Sequence, residues 1–175
     1  MLTKTQIDDI FNFWFPNQNY NKFWFNGEFD YIIKNKYNNL LQEVYLQIKI
    51  INFSEMSSDE LIAIIILLDQ FSRNINRVLY DDNISNNMTL KLDDCIIHDM
   101  TEQASKLSKH WIKKEYYLTE PINKVVFALM PLRHLNKISD YNLILNILDK
   151  IEDKNNEIYN KFKSKTIIIC NLLKN

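Results

Sequence analysis

The stretch Ser57-Ser58-Asp59-Glu60-Leu61-Ile62-Ala63-Ile64-Ile65-Ile66-Leu67-Leu68-Asp69-Gln70-Phe71-Ser72-Arg73-Asn74-Ile75-Asn76-Arg77 decides the fold of this chain. Ser57 and Glu60 have the spacing of a capping box, in which a hydroxyl and a carboxylate each bind the other's backbone amide at a helix start. From Leu61 to Leu68 every residue is apolar, so the helix is apolar on all sides and must be central. The run is too short to span a bilayer, which takes about 20 residues. It then stops in charged and amide side chains, which brings polar chemistry to the edge of the core. The chain has three arginines against eighteen lysines, and Arg73 and Arg77 both stand in this cluster. A guanidinium kept where lysine is the default cation points to a planar, bidentate or buried contact.

Helical signals continue on both sides. Thr5 to Asp8 resembles a capping box ahead of Ile7, Ile10, Phe11 and Trp14 on one face, and Pro16 ends that helix. From about Glu28 onward, Phe29, Ile32, Ile33, Tyr37, Leu40, Leu41, Val44 and Ile48 keep helical spacing. A looser helix is expected from roughly Asn86 to Leu107. Thr119 and Pro121 open another, with stripe Val125, Val126, Leu129 and Leu132, and Pro131 kinks or ends it. Ser139 starts a sixth helix, and a last one runs from about Asn155. Within it, Ile167-Ile168-Ile169 is β-branched and fits a strand equally well by periodicity. The expectation is an all-α protein of about seven helices, an irregular array of antiparallel hairpins over residues 1–175 as one domain. No residue-level repeat supports a regular solenoid.

Composition narrows the function classes. A chain of 175 residues with net charge −1 can bury a core without staples, and it lacks the basic excess of a general nucleic-acid binder. Cys95 and Cys170 are far apart, which reads as reduced thiols, and Asp8 and Asp9 are wrong for a secretory signal. The expectation is a soluble, cytoplasmic protein with no membrane association. Ile, Asn and Lys are abundant while Gly, Ala, Arg and Pro are scarce, the drift of an A/T-rich coding genome. Rare residues therefore carry weight. Gly27, the single glycine, marks a positive φ or a close approach. Ala63 and Ala128 mark a close crossing of two helices.

Several chemistries fall away. One glycine cannot build a phosphate loop or dinucleotide fingerprint. Asp93, Asp94, Cys95 and His98 form the only metal-like grouping, and a solvated acidic turn explains it equally well. No cofactor or metal is expected. The lysine-rich run Lys106 to Lys114, with His110 and Trp111, reads as a solvated helix face with interleaved core aromatics. His98 and His110 lack partners at ligand spacing.

Leu67-Leu68-Asp69-Gln70-Phe71 with Arg73-Asn74 and Arg77 resembles the signature of the bacterial domain of unknown function 924 family, which reads Leu-Asp-Gln-Phe-Pro-Arg-Asn with a further arginine. Ile10 to Phe15 with Phe23-Trp24-Phe25 is similar to the family's opening aromatic segments. Phe127 to His134 resembles its later Leu-Pro-Leu-Glu-His stretch. The resemblance covers residue 7 to about 137 and implies a compact, tetratricopeptide-like helical fold with no established reaction. Ser72 stands where the family has proline, Arg133 where it has glutamate, and Leu135-Asn136 where it has Ser-Glu. The family's C-terminal motif gives way to Phe162-Lys163-Ser164-Lys165 and an apolar tail.

The candidate site residues are Asp69, Gln70, Arg73, Asn74, Arg77, Arg133 and His134. They read in two ways. In one they form a structural clamp, with Asp69 and Arg73 paired at i,i+4 and the amides capping carbonyls. In the other they hold an anion, Arg73 and Arg77 presenting the fork and Asp69 orienting His134. The parallel functional expectations are a helical module binding a protein or peptide partner in a groove, and an enzyme or binder acting on a small anion bearing carboxylate or phosphate. If the helices of Ala63 and Ala128 are neighbours, His134 comes within reach of Asp69 or Arg73, with Arg77 at the rim.

Overall fold

The computed structural model describes residues 2–16, 22–86, 94–152 and 154–174. Seven helices and no strand are present among them. Helix α1 spans Lys4–Trp14 and α2 spans Asp30–Ile48, with a 3-10 turn at Lys22–Phe25 between them. Helix α3 is an α-helix over Ser58–Ile65, widens to a π-helix over Ile66–Phe71 and returns to α-helix over Ser72–Asn86. Then come α4 (Asp94–Lys113), α5 (Ile122–His134), α6 (Ile138–Lys150) and α7 (Glu157–Leu172).

The starts of the helices show which local signals act. Ser57 and Glu60 make the expected box: Ser57 Oγ accepts the Glu60 amide, and the Glu60 carboxylate accepts the Ser57 amide at 2.9 Å. The box of α1 lies two residues earlier than expected, between Thr3 and Gln6, whose amide oxygen accepts the Thr3 N–H at 2.8 Å. Thr5 is already inside the first turn. Pro121 is itself the N-cap residue of α5, and Thr119 does not cap it. Helix α6 begins at Ile138 after Lys137, one residue ahead of Ser139, and Asn156 caps α7 through the Ile158 amide at 3.0 Å.

Asn86 ends α3 and does not open α4, and residues 87–93 of the looser helix expected there lie outside the described residues. Pro131 does not terminate α5, which continues to His134. Proline costs a helix one amide hydrogen bond, a loss that α5 tolerates because it is buried on nearly every side from Ile122 to Leu132. Ile167-Ile168-Ile169 is helical within α7.

Leu61 to Phe71 are all buried, which makes α3 the axis of the molecule. It packs on α1, α2, α4 and α5, and the last three helices pack on one another. Ala63 and Ala128 are both fully buried on contacting helices. The aromatic segments near the start fasten α1 to this axis. Trp14 meets Phe71 and Phe127 edge-on with ring centroids 5.3 Å apart, Trp24 meets Phe127 at 4.8 Å, and the Trp24 indole donates to the Trp14 carbonyl at 2.8 Å. Such pairs add roughly 0.5–1.5 kcal/mol each beyond burial. In the lysine-rich run, Leu107 and Trp111 are buried while Lys109 pairs with the buried Asp140 at 2.8 Å.

Gly27 has φ +75° in the turn before α2, and a Cβ there would lie 3.2 Å from Asp30 Oδ2. Only glycine adopts that conformation routinely. Gly27→Ala is expected to destabilise the protein by about 1–2 kcal/mol, read from urea unfolding. An unchanged unfolding midpoint would show that the turn adjusts without cost.

Candidate functional site

The π-turn coincides with Ile66-Leu67-Leu68-Asp69-Gln70-Phe71, the centre of the motif. One extra residue in a helical turn rotates everything beyond it by about 100° relative to an unbroken α-helix, and such turns recur at functional positions. The backbone bears the mark of the shift. The Ser72 amide donates to Leu67 O instead of Leu68 O, and the Ser72 hydroxyl takes the Leu68 carbonyl at 2.6 Å. From Asp69 in this turn onward, successive polar residues of α3 address three different helices.

Asp69 faces α5. It is fully buried, and its carboxylate takes donors from three side chains. His134 Nδ1 lies 2.9 Å from both oxygens, Gln70 Nε2 donates to Oδ2 at 2.5 Å, and Arg73 Nε donates to Oδ1 at 3.4 Å. The expected meeting of His134 with Asp69 is therefore present. An ionised carboxylate only accepts, so Nδ1 carries a proton and Nε2 is the ring's remaining functional atom. Burial alone would push the Asp69 carboxyl up. The His134 charge and hydrogen bond, with Arg73 and Gln70, outweigh burial and hold it below the ordinary aspartate value.

Arg73 faces α4. Its Nη2 donates to Thr101 Oγ1 at 2.9 Å, and that hydroxyl passes its own proton to the Ile97 carbonyl at 2.9 Å. Asn74 and Arg77 face α2, where Asp30 is buried. Asn74 Nδ2 donates to Asp30 Oδ1 at 2.7 Å, and Arg77 grips both oxygens through Nε at 2.7 Å and Nη2 at 2.9 Å. The two arginines expected to offer a fork to an anion thus already hold carboxylates of this chain. An external anion at either would have to displace a buried aspartate.

Arg133 points elsewhere. It lines a cavity of about 90 Å³ between α5 and α7, with Val126, Met130, Ile158, Lys161, Phe162 and Lys165. Its guanidinium lies over the Phe162 ring at 4.7 Å, and Nη2 contacts Met130 Sδ at 2.9 Å. Among the described residues it has no ion pair. Burial lowers its pKa, with Tyr141 and Asp69 acting the other way.

Asp30, Thr101 and the lysines and aromatic ring of α7 do not stand out in the sequence. Asp30 has one legible mark, an acid in a first helical turn just after the only glycine. His110 Nε2 is buried without a hydrogen-bond partner among the described residues, beside Phe53 at 5.2 Å. No group of three potential metal ligands occurs among the described residues; Asp93 of the expected grouping lies outside them.

Two expectations follow. Asp69→Asn should lower stability at pH 7 by about 3 kcal/mol or more, since it leaves Arg73 and His134 facing a neutral amide in a buried position. Because the folded carboxyl titrates below its unfolded value, its contribution is complete above about pH 4 and is lost as pH falls through the folded value. Asp99, held down to about 2 first by Lys49 and then by Tyr45, acts in the same direction. The measurement is therefore the difference between wild type and Asp69→Asn, whose unfolding free energy should fall less steeply below pH 4. Parallel curves would show that Asp69 carries no linked charge. Arg73→Lys should cost about 1 kcal/mol by chemical denaturation, since an ammonium cannot bridge Asp69 and Thr101 together; no loss would mean that the bridge is idle.

No curated protein and no solved structure matches the chain. No described helix is long and apolar enough to cross a membrane. A family model described as "Bacterial protein of unknown function (DUF924)" matches residues 10–170, beyond the motifs that end near residue 137 and almost to the end of α7. With Asp69, Arg73, Arg77 and His134 all inside that span, the chain belongs to this family.

Proposed function

We propose that this protein is a cytoplasmic, tetratricopeptide-like binding module for a small molecule bearing a carboxylate or phosphate, held at Arg133. One observation carries the reading. Of three arginines, Arg73 and Arg77 are neutralised by buried aspartates, whereas Arg133, partly buried, rests on a thioether and an aromatic face. A thioether is a weak acceptor and an aromatic face a modest cation partner. A partly desolvated cation without a carboxylate gains most from an anion that supplies one. Under this reading the Asp69 and Asp30 clusters set the frame. Asp69 fixes His134, the residue next to Arg133, and Tyr141 bonds the Arg133 carbonyl at 2.8 Å to anchor the end of α5.

A protein or peptide partner is the second reading. Its support is apolar side chains left in solvent, Leu46 on α2, Ile50 in the turn just after it, and Ile168 and Leu172 on α7.

Titration of the full chain with inorganic phosphate, followed by calorimetry or amide chemical shifts, tests the first reading. Binding on the order of 1 mM is expected. Arg133→Ala should weaken it about tenfold, while Lys106→Ala, which removes a distant exposed charge, should not. Equal weakening by both would reduce the effect to net charge, and no binding of either phosphate or acetate at high concentration would defeat the reading.

A further inference from the structure

From the walls of the Arg133 cavity we infer that its ligand is a free, small carboxylate with a short apolar body, such as a short-chain acid, and not a bare inorganic anion. This rests on the anion reading above and narrows it. The floor is apolar: Val126, Met130, Ile158 and Phe162 are all buried residues of α5 and α7. Three cations share the lining with it: Arg133, lying over the Phe162 ring, and the exposed Lys161 and Lys165 of α7.

A bare anion entering this space would exchange water for methyl and ring surface over the apolar part of the lining. A molecule with one anionic end and a hydrocarbon body has a match in the lining for each of its parts. Lys161 is held by Glu157 at 2.6 Å, so part of the positive field is already balanced. A planar guanidinium suits the two oxygens of a carboxylate. The cavity, about 90 Å³, suits a body of a few carbon atoms.

The test is a ligand series on the full chain: inorganic phosphate, acetate, propionate, butyrate, hexanoate and N-acetyl-leucine, followed by amide chemical shifts of α5 and α7. Affinity is expected to rise about fourfold per added methylene from acetate to butyrate and to level off once the body outgrows the cavity. Arg133→Ala should weaken every member about tenfold. Lys165→Glu, at an exposed position, should weaken acetate and butyrate by the same factor and leave the gain per methylene intact.

Four results would overturn the inference, and they fall in different places. Acetate and phosphate binding through Arg133 with no gain along the series removes the apolar body and leaves the anion site standing. Absence of binding by every anion removes both. A series whose affinities Arg133→Ala leaves unweakened places the binding elsewhere and also removes both. N-acetyl-leucine binding more tightly than butyrate would replace the free acid with the carboxylate end of a peptide chain.

Discussion

The carboxylate of Asp69, held without solvent exposure on the central helix, is the constraint on which the rest of the structure depends. An unpaired charge at such depth is far too costly to keep, so the fold must deliver donors to it from several elements. It does so from the helix itself through Gln70 and Arg73 and from α5 through His134. Arg73 carries the constraint onward to Thr101 of α4. The positions of α4 and α5 around α3 are thus coupled through one buried anion. Apolar packing supplies the driving force, and this anion selects among the ways in which the helices can be arranged.

A second carboxylate, on α2, repeats the device against the lower part of the same helix. Asp30 binds Asn74 and both sides of the Arg77 fork, which fixes the start of α2 against the far limb of α3. Gly27 belongs to this cluster, since its conformation places the chain close against the same carboxylate. Against these two saturated centres Arg133 stands apart, a guanidinium on the rim of a cavity with only weak partners.

How much of this the sequence discloses depends on the kind of interaction. Helices announce themselves through apolar spacing, so Ile33, Tyr37, Leu41 and Val44 mark the buried face of α2 plainly. The approach of His134 to Asp69 was also accessible, because two rare alanines imply that their helices lie side by side. The π-turn was not. A segment apolar on every side has no stripe whose drift could reveal a change of register. Asp30 was hidden by its distance of 44 residues from Asn74 and by a background crowded with Asn and Asp. The isolation of Arg133 is a statement about what does not come near it, and only three-dimensional placement supplies that.

The widened turn in α3 makes the helix behave as a fixed gear between its neighbours. Its upper limb, Leu61 to Ile65, sets one angular position by packing; its lower limb, with Arg73, Asn74 and Arg77, needs another to meet α4 and α2. The inserted residue supplies the offset between the two. Removing any one residue from Ile66 to Phe71 would give a more regular helix. It would also turn the lower limb by about 100° and detach it from the Asp30 side of the molecule. Length in this segment is therefore constrained more tightly than chemistry. Exchanges of one apolar residue for another leave the offset in place, whereas a deletion of a single codon would disengage the two halves.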